Sequence, residues 1–190
     1  MTRRTLTPVG AVAMGLAAGA VGTTVMDLVW YRRYKRGGGK SPFLDWEFSA
    51  GLSDWEQASA PAKVGKRLYE GLFQRELPAR YAAATNSIMH WGYGIAWGGV
   101  YGILAGSLCR RSVLYGLPLG AAVWTSSYVT LPLARLYKPV WEYDAKTLAK
   151  DLSAHLAYGV GTAAAFALLA RLPVVAAIDC ATSPAGATGS

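Results

Sequence analysis

The apolar residues of this 190-residue chain gather into four blocks, at about 9–31, 84–108, 113–134 and 152–172. Each matches the roughly 20 helical residues that cross a ~30 Å hydrocarbon core. Small residues recur every fourth position inside the blocks, in place of a wet polar face. Gly15 and Gly19 form such a row in the first block, and Gly94, Gly98, Gly102 and Gly106 in the second. Gly116 and Gly120 follow in the third, and Gly159, Ala163 and Ala167 in the fourth. Residues four apart share a helix face, and in lipid such rows let two backbones approach closely. The pattern predicts an all-α membrane protein, a four-span transmembrane helical bundle held by glycine ridges.

The blocks pair. Asn86-x3-His90-x2-Tyr93-Gly94 reads like Asp151-x3-His155-x2-Tyr158-Gly159, and Gly15–Ala20 reads like Gly116–Ala121. Corresponding blocks then run the same way, which makes two parallel hairpin repeats. An amino tail, 1–8, precedes the first repeat, 9–108, with its polar connection 32–80; the second repeat is 113–172, before a flexible tail at 173–190. Arg3, Arg4 and Ala18-Gly19-Ala20 resemble a cleaved export signal. The apolar run continues to Trp30, past the ~7–15 residues of such a signal, so the first block is read as a retained span.

Charge orients the bundle. Connections 32–80 and 135–150 hold 10 and 4 of the 19 Lys and Arg residues, including Arg32, Arg33, Lys35 and Arg36. That bias puts both connections inside and both termini outside. Within the first connection, Val64, Leu68 and Leu72 recur every four residues beside Lys63, Lys66 and Arg67. This predicts an amphipathic helix at about 61–75, lying on an anionic inner leaflet. The net charge of +8 thus reads as attraction to a membrane surface, with no nucleic-acid partner expected. Gly37-Gly38-Gly39 reads as a flexible exit from the first span. Asp45-Trp46-Glu47 and Asp54-Trp55-Glu56 read as interfacial tryptophans with solvated acids. Cys109 and Cys180 read as unrelated thiols; they offer no metal spacing, and no metal or cofactor is expected.

Followed toward the basic edge, every small-residue row ends in polar groups. Asp27 closes the first, His90 and Asn86 the second, Tyr128 the third, and His155 and Asp151 the fourth. Ionisable groups within spans face the bundle interior and pair with one another, so one convergent cluster is expected. The simplest role is interhelical hydrogen bonding in a non-enzymatic, structural or accessory protein. A proton- or cation-coupled transporter using Asp27, His90 and His155 is second, with a homodimer expected because four helices leave little room for a pathway. Paired axial ligation of haem by His90 and His155 is third. Gly159-Val160-Gly161-Thr162-Ala163-Ala164 spells a dinucleotide fingerprint, but no strand precedes it. Other soluble-enzyme motifs are absent.

Ala62-Lys63-Val64-Gly65 through Arg75-Glu76-Leu77-Pro78, with the later His90-Trp91-Gly92-Tyr93-Gly94, resembles uncharacterised bacterial inner-membrane proteins of the YagU-like family. The resemblance covers the first two spans and their connection. It implies a bacterial inner-membrane protein and transfers no catalytic residue.

Overall fold

A computed structural model describes residues 4–108, 112–171 and 177–179. Both cysteines, the Arg110-Arg111 turn and nearly all of the carboxyl tail lie outside the described residues. Six α-helices carry the fold: α1 Pro8–Arg36, α2 Phe43–Glu47, α3 Ala60–Phe73, α4 Ala82–Gly106, α5 Gly116–Leu133 and α6 Ala145–Leu169. The short strands β1 Arg4–Leu6 and β2 Ala177–Asp179 pair antiparallel. Helix ends follow local chemistry. Thr7 accepts from Gly10 N ahead of Pro8, and Asp144 caps α6 by accepting from Thr147 N at 2.9 Å.

By length and composition, α1 and α6 are apolar enough to cross a membrane. Gly, aromatic and hydroxyl residues lower the hydropathy of α4 and α5. Yet large apolar side chains point outward on all four long helices, among them Leu28, Ile88, Leu104, Leu133 and Leu168. The dinucleotide-like sequence lies inside α6, as expected.

Glycines set the packing. A Cβ on Gly19 would lie 2.7 Å from Gly94 O and 2.9 Å from Gly98 Cα, and one on Gly15 would lie 2.8 Å from Gly102 Cα. The α1 and α4 backbones therefore touch, and the two rows interlock with each step up one helix matched by a step down the other. The adjoining face of α1 packs on α6, where a Cβ on Gly22 would lie 2.7 Å from Tyr158 O. A Cβ on Gly120 would lie 2.8 Å from Leu156 Cα, so α6 and α5 are also in backbone contact. Tyr158, 1% exposed, crosses the bundle to donate its hydroxyl proton to Gly94 O at 2.6 Å.

The remaining seam, α4 against α5, is looser. Tyr93 and Ser126 hydrogen-bond across it at 2.7 Å. Two cavities of about 300 Å³ line it, one at His90, Tyr93 and Thr130 and one at Trp97, Tyr101 and Leu119.

Both connections lie at one end of the bundle. Arg33 donates to Lys150 O and Ser153 Oγ, each at 2.7 Å, and Arg67 of α3 reaches Ala134 O. The α3 helix falls where the 61–75 expectation put it. Buried Ala62 and Gly65 seat it on α4, while Leu68, Leu72 and Phe73 face outward.

Candidate functional site

The interlocked α1/α4 rows end in chemistry. One turn beyond Gly19, Thr23 sits over Gly94; one turn further, Asp27 meets His90. His90 Nε2 lies 2.9 Å from Asp27 Oδ1, and the Asp27 residue is 3% exposed. A carboxylate this buried needs a cationic or donating partner. His90 supplies one for Oδ1; Oδ2 is buried with no hydrogen-bond partner among the described residues.

A third group completes the site, and sequence reasoning missed it. Glu47, expected to be solvated, is only 8% exposed. One ligand atom from each of Asp27, Glu47 and His90 falls within 4.8 Å of the other two. The cause lies in the three glycines, which form a defined reversal and not a flexible exit. Gly37 N and Gly39 N bond to Arg33 O and Tyr34 O at 3.0 Å each, and Gly38 takes φ +90°, where a side chain is strained. Tyr31 then packs on Phe43 and Trp46 at centroid distances of 5.1 and 5.4 Å, folding α2 back along α1. Trp91 Nε1 donates to Glu47 Oε1 at 2.8 Å. Burial raises the Glu47 pKa above its ordinary 4.5, and the nearby Asp27 charge raises it further. Asp45 and Glu56 are exposed, as expected.

Beside this group a pocket of about 610 Å³ is walled by Trp30, Arg33, Trp46, Ser49 and Asn86. Asn86 lies at its rim rather than with the charged groups. Its side-chain amide donates to Ser49 Oγ at 2.9 Å, and its carbonyl oxygen accepts from Ser59 Oγ, tying the 48–59 loop to α4.

The expected single cluster is two. Tyr128, Asp151 and His155 gather at the α5/α6 end, apart from Asp27 and His90. His155 Nδ1 donates to Asp151 O at 3.0 Å within its own helix and lies 3.6 Å from Asp151 Oδ1. Tyr128 packs against Tyr137 and Tyr143 at 5.8 and 5.5 Å. Burial, then the facing Asp151 carboxylate, raises the Tyr137 pKa. The reason for the split is register: Gly120 lies against His155, so His155 meets α5 backbone, two turns short of Tyr128. The Gly94 face, one turn from His90, where a haem on that histidine would need room, is covered by Thr23 and Tyr158.

Comparison of the chain with protein-family models, curated proteins and solved structures gave no match. The class that fold and site define is therefore a helical protein with two helices able to cross a membrane and a buried carboxylate–imidazole–carboxylate group.

Proposed function

We propose that this chain is a non-enzymatic, four-span protein of the bacterial inner membrane and a small proton- or cation-coupled transporter centred on Asp27, His90 and Glu47. The observation that carries the reading is Asp27: a 3%-exposed carboxylate with one oxygen on His90 and the other without a hydrogen-bond partner among the described residues. A group serving packing alone would have both oxygens satisfied, because an orphaned buried acceptor costs ~1–3 kcal/mol. The outward apolar side chains of α4 and α5 support counting them as spans. Their glycine contacts support ridge packing of two parallel hairpins, with the basic connections inside and both termini outside. The resemblance to YagU-like proteins bears only on this membrane setting.

The α1/α4 seam is closed by glycine contact above Asp27, so ions pass along the looser α4/α5 seam from the His90 cavity toward Trp97. A homodimer would widen that route. The test is ΔpH-driven flux in proteoliposomes of anionic lipid. Wild type should carry a flux that Asp27→Asn and His90→Ala each abolish; no flux in wild type sinks the transport reading. The structural or accessory reading is favoured by the glycine rows and would then stand alone.

A further inference from the structure

The group at Asp27, Glu47 and His90 has the donors of a metal site, although no run of the sequence has metal-ligand spacing. We propose that these three side chains bind one divalent first-row transition metal ion, entering from the adjoining pocket at Trp30, Trp46 and Asn86. The inference rests on reading the group as an ion-binding centre, and it names the ion class.

Geometry comes first. Donor atoms around an ion bonded at ~2.0–2.2 Å sit about 3.4 Å apart in a tetrahedral site. Here the three donors are already within 4.8 Å of one another, the His90–Asp27 pair at 2.9 Å. Small rotations of Glu47, on the short helix α2, close the set. The unpartnered Asp27 Oδ2 gives that carboxylate a second ligating atom.

Charge balance follows. Two carboxylates and a neutral imidazole carry two negative charges, which a divalent ion cancels in a site where net charge is costly. Binding at Nε2 leaves His90 neutral with its proton on Nδ1, so the second proton of an imidazolium, and any proton on Glu47, leave into the solvent of the pocket. An imidazole nitrogen with carboxylate oxygens suits Mn²⁺, Fe²⁺, Co²⁺ or Zn²⁺, whereas Mg²⁺ and Ca²⁺ prefer all-oxygen shells. Trp91 Nε1 on Glu47 Oε1 holds a ligand from behind, as outer-shell donors do around metals. The adjoining pocket, about 610 Å³, leaves room for water at open positions.

The deciding experiment titrates full-length, metal-free protein in detergent with Co²⁺, Zn²⁺ and Mn²⁺, following Co²⁺ visible absorption, Zn²⁺ heat and Mn²⁺ paramagnetic resonance. One ion per chain is expected, with heats that vary with buffer ionisation because protons leave. Excess Mg²⁺ or Ca²⁺ should not compete. Asp27→Asn lies in the packed seam and can disturb folding, so Glu47→Gln, outside that seam, decides: it should weaken binding by roughly 100-fold or more, and Trp91→Phe by about 10-fold. No saturable ion in wild type, or Glu47→Gln binding like wild type, overturns the inference. If no metal binds while ΔpH-driven flux persists and needs Asp27, the metal inference alone fails. If metal binds without flux, only transport fails.

Discussion

Gly19→Ala adds a single methyl group where α1 and α4 touch. That Cβ would lie 2.7 Å from Gly94 O, 2.9 Å from Gly98 Cα and 3.1 Å from Ile95 Cα. All three are backbone atoms of a helix interior, which cannot rotate away. Restoring an ordinary carbon contact of at least 3.4 Å requires the helices to part by about 0.7 Å. Overpacking of this kind costs ~1–3 kcal/mol. The displacement reaches the site two turns away: parting by the same amount would stretch the 2.9 Å His90–Asp27 bond to about 3.6 Å, no longer a hydrogen bond. One methyl group should therefore lower stability and loosen the ion centre together. Gly92→Ala is the control, because a Cβ there meets nothing within 4 Å. It should be neutral or stabilising by up to ~1 kcal/mol, since alanine is the better helix former. Reversible SDS unfolding in mixed micelles gives both free energies. Equal stability of the two variants would refute the claim that α1 and α4 are in backbone contact.

Three more outcomes follow from named contacts. Tyr158→Phe removes the bond to Gly94 O and should cost about 0.6–1.7 kcal/mol in the same unfolding assay, the range of interhelical hydrogen bonds in membranes. Gly98→Leu should disrupt folding more than His90→Ala or His155→Ala, because a Cβ at residue 98 already falls 2.6 Å from Gly19 N; thermal melts that rank the histidine variants lower would contradict it. Glu47 supplies a pH dependence. Its folded pKa lies above the ordinary 4.5, so the native state keeps that proton when the unfolded chain has lost it. Its contribution is fully present below pH 4.5 and is lost as pH rises from there through the raised value. Wild-type stability should fall across that window relative to Glu47→Gln, and parallel curves would remove the buried-acid assignment.

The four-residue rows were legible because helix periodicity is local and close helix–helix packing selects small residues. Gly15, Gly19, Gly94 and Gly98 were read from spacing alone, and they meet as that spacing implies. The pairing of Asp27 with His90 followed from extending the same rows. Glu47 was not legible. Its burial depends on a reversal at Gly37–Gly39 and on aromatic stacking of Tyr31 with Phe43 and Trp46, and nothing in Asp45-Trp46-Glu47 announces which acid turns inward. One signal was available: Tyr31 and Tyr34 lie on the α1 face that needs covering, and an aromatic run ten residues later can cover it. The second polar group was misplaced for a different reason. Row spacing tells which residues share a face but leaves open how far one helix slides along its partner.

That slide decides which polar groups the two similar phrases bring together. In the first hairpin Gly15 faces Gly102, Gly19 faces Gly98 and Asp27 faces His90. In the second, Gly116 already faces Gly159 and Gly120 faces His155. Matched by their shared phrases, the hairpins differ by eight residues of register, about two helical turns. The His155 backbone therefore lies against α5, and its imidazole stays with Asp151 of its own helix, donating Nδ1–H to Asp151 O and lying 3.6 Å from Asp151 Oδ1. Tyr128, two turns beyond Gly120, is left to the aromatic group of Tyr137 and Tyr143. The two similar phrases thus form one buried carboxylate–imidazole–carboxylate group among the described residues. His155→Gln should leave Co²⁺ stoichiometry at one per chain and its visible spectrum unchanged, whereas His90→Gln should erase the spectrum. Two bound ions per wild-type chain, or a spectrum that depends on His155, would overturn the register argument.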